Sequence, residues 1–148
     1  MSVQSWFVRL GNPIFAVLLR SPLHRLAGPG TMLISVTGRR SGRVYTTPVN
    51  YLPDGDQLTV ISLRERTWWR NLRSGAEVGL HVQGQPRRGR ASVIEDEVSV
   101  AAALGGYLRR VPAYARLLGV RMGPDGEPEA EGLARAARSR VIVNVQLI

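Results

Sequence analysis

The chain contains no cysteine and no lysine among its 148 residues, and only two histidines. Without cysteine there is no disulfide and no thiol nucleophile. His24 and His81 each lack a carboxylate or a second histidine at ligand spacing, so a catalytic metal centre has no donor set. Serines are present, but none sits in a Ser-x-Gly elbow with a partnered histidine. Nor does any segment approach the roughly 18 uninterrupted apolar residues of a membrane span. The N-terminus lacks the charged start, apolar run and small-residue cleavage site of a secretory signal, and the expectation is a cytoplasmic protein.

Acidic residues are scarce in one half. The first 53 residues hold Arg9, Arg20, Arg25, Arg39, Arg40 and Arg43 but no aspartate or glutamate. The acids gather in turns and a late loop, at Asp54 and Asp56, at 95–97 and at 125–131. All 20 basic residues are arginine and the formal charge is +9. A coding bias toward arginine accounts for part of that charge, but not for the tight cluster at 39–43. The asymmetry favours an anionic partner near the N-terminal half.

An apolar fraction of 44% and a charged fraction of 21% describe an ordinary globular chain, and one domain over 1–148 is expected. Residues 1–28 place Trp6, Phe7, Leu10, Ile14, Val17 and Leu18 at helical spacing, an amphipathic segment that packs on the rest or touches a membrane surface. From 31 to 95 the pattern is β, with apolar or alternating runs at 32–36, 44–52, 58–63, 78–82 and 89–94. Pro53-Asp54-Gly55-Asp56 and Gly84-Gln85-Pro86 are the turns, too short for parallel crossovers. A helical region over 97–139 breaks near Val111-Pro112, and 140–148 forms the final strand. Six strands at hairpin spacing predict a mainly β (α+β) fold, an antiparallel barrel with flanking helices.

Two clusters carry chemistry. In Thr37–Pro48, TGRRSGRVYTTP, Gly38 and Gly42 permit backbone conformations that let N–H groups converge. Arg39, Arg40 and Arg43 supply guanidinium forks, and Ser41, Thr46 and Thr47 supply hydroxyls. Such a set suits phosphate or carboxylate. The other reading is an exposed basic hairpin without a ligand. The second cluster, RERTWWRNL from Arg64 to Leu72, follows the strand expected to pair with the Thr-Thr-Pro strand, so hairpin geometry brings the two clusters close. Trp68 or Trp69 offers a flat face and Asn71 a paired donor and acceptor, with one tryptophan expected in the core. So few acid–base groups point to a bound cofactor as the source of the reactive atom.

These residues resemble a known family, the deazaflavin-dependent nitroreductases and quinone reductases that use coenzyme F420. Its hallmarks are a strand ending T-G-R-[KR]-[ST]-G, a strand carrying T-P, a D-G-D-type hairpin and a W-[WY]-x-N-L helix. Here they read Thr37-Gly38-Arg39-Arg40-Ser41-Gly42, Thr47-Pro48, Asp54-Gly55-Asp56 and Trp68-Trp69-Arg70-Asn71-Leu72, in matching order over 31–83. The resemblance implies a six-stranded split β-barrel related to the FMN-binding, pyridoxamine-phosphate-oxidase-like fold. It implies a cofactor tail held by Arg39, Arg40, Ser41, Gly42 and Arg43, with Thr46, Thr47 and Pro48 along the ring or linker. Arg64, Trp68, Trp69 and Asn71 join this cofactor set.

The activity so implied is hydride transfer from reduced F420 to a quinone, nitro compound or activated alkene, with FMN as the alternative cofactor. Split barrels of this kind commonly pair as homodimers. Three departures from the pattern stand out: Tyr45 or Thr46 where an arginine is usual, Leu63 where a serine is common, and a short connection before Trp68. They leave open a non-catalytic binder of a flavin, haem or fatty-acid-like ligand. Nucleic acid ranks last, because no strand interleaves aromatic with basic residues and no basic helix is evident.

Overall fold

The computed structural model describes residues 30–148. The expected amphipathic segment at 1–28 lies outside the described residues. The chain divides into two compact units. One runs to Val60 and takes in Thr67–Val93 and Val143–Ile148; the other comprises Ile61–Arg66 and Ile94–Ile142.

Seven strands form one sheet: β1 Thr31–Thr37, β2 Val44–Asn50, β3 Leu52–Asp54, β4 Gln57–Leu63, β5 Ala76–Val82, β6 Gln85–Ile94 and β7 Arg140–Leu147. Their order is β2-β1-β5-β6-β7-β4-β3. The β1–β2, β1–β5, β3–β4 and β5–β6 pairs are antiparallel. β2 and β3 stand at opposite ends of this order, yet Tyr51 alone separates them in the chain. Only a sheet curled on itself can bring such ends within one residue of each other, which makes a half-barrel.

The expected count of six strands is therefore one too low. The run 44–52 divides at Tyr51, whose side chain is buried and whose N–H donates to the Gly30 carbonyl at 3.0 Å. Up to Asn50 the chain belongs to the ladder with β1, Thr31 opposite Asn50. From Leu52 it belongs to the hairpin with β4, Asp54 opposite Gln57. A second correction concerns Gln85 and Pro86, which open β6 rather than forming the turn. Gln83 and Gly84 turn the chain instead, both at positive φ, and Pro86 lies opposite His81.

Period-two alternation fills the core of the first unit. Met32, Ile34 and Val36 of β1, Leu58 and Val60 of β4, and Val78 and Leu80 of β5 are buried. Each such side chain contributes about 1.5–3 kcal/mol on leaving water. Gly89 in β6 is forced: a Cβ there would overlap the Val145 side chain.

The second unit carries the described α-helices. α1 Glu97–Arg110 starts at Asp96, which accepts from the Ser99 N–H at 2.9 Å and so caps an otherwise orphan donor. The Ser99 hydroxyl and, after it, the Ser99 N–H hold the Asp96 carboxyl below its usual value. The helix ends at Val111-Pro112, since proline cannot continue it. A 3-10 turn Pro112–Tyr114 and a short α2 Ala115–Leu118 follow, closed by Gly119 at φ +68°. α3 Ala130–Arg138 packs against α1, burying Leu104, Leu108, Ala136 and Ala137. Tyr107 meets Tyr114 edge-on at 5.3 Å, and burial pushes its phenol up to about 12. The two tyrosines form a packed pair, Tyr107 buried and Tyr114 half-buried.

Candidate functional site

The turn after β1 is built by local hydrogen bonds. Gly38 N–H donates to the Arg43 carbonyl at 2.6 Å, and Gly42 N–H donates to the Gly38 carbonyl at 3.0 Å. Gly42 takes φ +69°, a region that costs other residues steric strain. Arg43 N–H donates to Ser41 Oγ at 3.1 Å, and Ser41 Oγ lies 3.4 Å from the Tyr45 hydroxyl. Gly38 is confined too: a Cβ there would stand 2.7 Å from Ser41 Oγ and 3.0 Å from the Tyr45 ring.

Facing the turn, Trp68–Leu72 forms a 3-10 helix anchored by Trp69 and Leu72, both buried. The Asn71 amide joins the two segments. Its Oδ1 accepts from Arg39 N–H at 3.1 Å and its Nδ2 donates to the Trp68 carbonyl at 3.1 Å. Between them lies a pocket of about 950 Å³ lined by Gly38, Arg39, Arg40, Ser41, Tyr45, Thr67, Trp68, Arg70, Asn71 and Arg73. Four arginines line it and no carboxylate does. No carboxylate of the described residues pairs with Arg39, Arg40 or Arg70. Arg70 and Arg73 are steered by the Trp69 ring, their guanidinium carbons 5.7 and 5.1 Å from its centroid.

Of the residues singled out in the sequence, Arg39, Arg40, Ser41, Trp68 and Asn71 come together around this pocket. Gly42 shapes the turn, and Arg43 serves it through its backbone. Trp69 is the core tryptophan, 1% exposed. Thr46 turns its hydroxyl to Ser35 at 2.7 Å, while Thr47 and Pro48 stand opposite Ile34 and Leu33 in the ladder; none of the three lines the pocket.

Arg64 is not among the residues that line the pocket. Its Nη2 donates to the carbonyls of Glu95, Ala137 and Arg140 at 2.7, 3.2 and 2.9 Å, and its backbone N–H donates to the Ser139 carbonyl at 2.8 Å. It closes the C-terminal end of α3, where unpaired carbonyls and the helix dipole favour a cation. Sequence reasoning missed Tyr45, Thr67, Arg70 and Arg73. Arg70 and Arg73 had a usable signal, since 66–76 holds three arginines and no acid.

A family profile for F420H(2)-dependent quinone reductase matches residues 21–116 of this chain. The chain belongs to that family. It is thus a member of a group of F420-dependent oxidoreductases. Among solved structures it is similar to a proposed 5-nitroimidazole antibiotic resistance protein from Bacteroides thetaiotaomicron, at 16% identity and TM-score 0.54, covering 82% of this chain and 75% of that one. A proposed pyridoxamine 5'-phosphate oxidase from Listeria innocua is similar at 15% identity and TM-score 0.51, covering 88% and 93%. So is the haem storage protein HutZ from Vibrio cholerae, at 14% identity and TM-score 0.51, covering 88% and 90%. At these identities the likeness shows the split-barrel fold alone. No curated protein matches the chain. Among the described residues, no helix is long and apolar enough to cross a membrane.

Proposed function

We propose that the protein transfers a hydride from reduced F420 to a hydrophobic acceptor, a quinone, nitro compound or activated alkene, with the acidic tail of the cofactor in the arginine pocket. The observation that carries this reading is the set of four arginines around a pocket free of carboxylates. The residues fit a polyanion. Arg39 and Arg40 meet it from the turn, Arg70 and Arg73 from the 3-10 helix, and Ser41 and Thr67 add hydroxyls. Guanidinium forks suit phosphate and carboxylate because each gives two parallel charge-assisted bonds. Tyr45 and Trp68 add aromatic faces on the same pocket.

When bound, reduced F420 supplies the hydride as a two-electron donor. The chain's own part is binding and orientation. The pocket lining offers hydroxyls, guanidiniums, an indole and one amide, and no carboxylate or imidazole. The rate gain on this reading comes from holding donor and acceptor in a reactive geometry.

The test is a titration of the purified protein with oxidised F420, FMN and haem, followed by fluorescence and absorbance. Micromolar binding of F420, and oxidation of reduced F420 when a quinone is added, are expected. An intact protein that binds FMN or haem but not F420 sinks the proposal.

A further inference from the structure

The geometry points to Asn71 as a positioning residue for the arginine pocket, a role that rests on reading that pocket as the cofactor-tail site. An asparagine facing such a pocket invites assignment as a ligand contact. Its hydrogen bonds give it a further task. Oδ1 takes the Arg39 N–H and Nδ2 holds the Trp68 carbonyl, each at 3.1 Å, so both ends of the amide are engaged by backbone. The two bonds also fix which way the amide faces, because an N–H needs an oxygen and a carbonyl needs an N–H.

Among the described residues, the other hydrogen bonds of turn 38–43 stay within the turn or reach Tyr45 beside it. The Asn71 bond is the one that reaches another element, across 32 positions of sequence. It therefore sets where Arg39 and Arg40 stand relative to Arg70 and Arg73, which flank Asn71 in the chain. Four guanidiniums on two independently moving segments bind a polyanion weakly, because binding must first order them. Held by Asn71, they meet it already ordered. The same bond engages the Arg39 N–H, leaving the anion to the side chains.

The experiment pairs backbone amide exchange, read by NMR on the free protein, with fluorescence titration by oxidised F420 and by inorganic pyrophosphate. In the wild type the Arg39 amide exchanges more slowly than the neighbouring Arg40 and Ser41 amides. In Asn71→Leu that difference disappears and affinity for either anion falls about tenfold, while the sheet amides of Ile34 and Leu80 keep their protection. Asn71→Asp retains the acceptor and keeps the Arg39 amide slow. Should the leucine variant fail to fold, the aspartate variant decides alone: an unprotected Arg39 amide there overturns the assignment. Wild-type affinity in a folded Asn71→Leu overturns it too. Pyrophosphate binding without F420 binding rejects the cofactor reading and leaves the exchange result to judge Asn71.

Discussion

Arg40 in the first unit and Arg64 in the second carry the same guanidinium in opposite settings. Around the pocket, Arg39, Arg40, Arg70 and Arg73 are exposed, face no carboxylate in the lining, and approach from a glycine turn and a short 3-10 helix. Arg64 is half-buried and its Nη2 is shared among three backbone carbonyls. Arg39, Arg40 and Arg70 meet no carboxylate among the described residues, whereas the charge of Arg64 is offset by carbonyl dipoles at the end of a helix. Arginine content therefore says little about binding until the partners of each guanidinium are known. A local surplus of cations with no acid nearby marks the site, and isolated cations near helix ends do not.

The sharpest test of the contrast is the double substitution of Arg39 and Arg40 by alanine. F420 affinity is expected to fall about a hundredfold, since each guanidinium forms charge-assisted bonds worth about 1.5–3 kcal/mol. Thermal stability should stay within about 0.5 kcal/mol, as for other exposed positions. Arg64→Ala should do the reverse, lowering unfolding free energy by about 2 kcal/mol in denaturant melts and leaving F420 affinity unchanged. An Arg64 variant that melts normally but loses the cofactor would erase the distinction.

The smallest effect belongs to Arg109, which pairs with Glu127 at 2.8 Å where both side chains are 52% exposed. Arg109→Ala should cost less than about 0.5 kcal/mol, because water already screens such a pair. A larger loss in the same melts would mean that a surface ion pair here behaves like the half-buried Arg64 bracket.

What could be read from the sequence was whatever rests on short range. The hairpin turn, the helix break at Val111-Pro112 and the glycine turn at 38–42 depend on neighbouring residues; the last two lie where expected, and the first is narrowed from 53–56 to Gly55-Asp56, with Pro53 and Asp54 in β3. The nearness of the two clusters was expected from a hairpin between β4 and the Thr-Thr-Pro strand, but that strand pairs with β1 and β4 pairs with β3; the pocket draws on both clusters all the same. The division of the second strand at Tyr51 was hidden, because burial and a backbone bond to Gly30 cause it rather than any turn residue. The hydrogen-bond partners of Arg64 and Asn71 were hidden for a similar reason. Their partners lie 31 to 76 positions away, and composition does not reveal which distant carbonyl or N–H a side chain will meet.

The strand order has a consequence for how the chain is made. β7, the last strand in sequence, lies between β6 and β4. Until it arrives, both neighbours present bare backbone edges, which are templates for pairing with other chains. A ribosome delivers this strand after every other, so the nascent sheet remains open on both flanks of the gap until the wedge is seated. Sheet closure waits for the last of the described strands, and helper proteins that shield exposed edges have most to do in that interval.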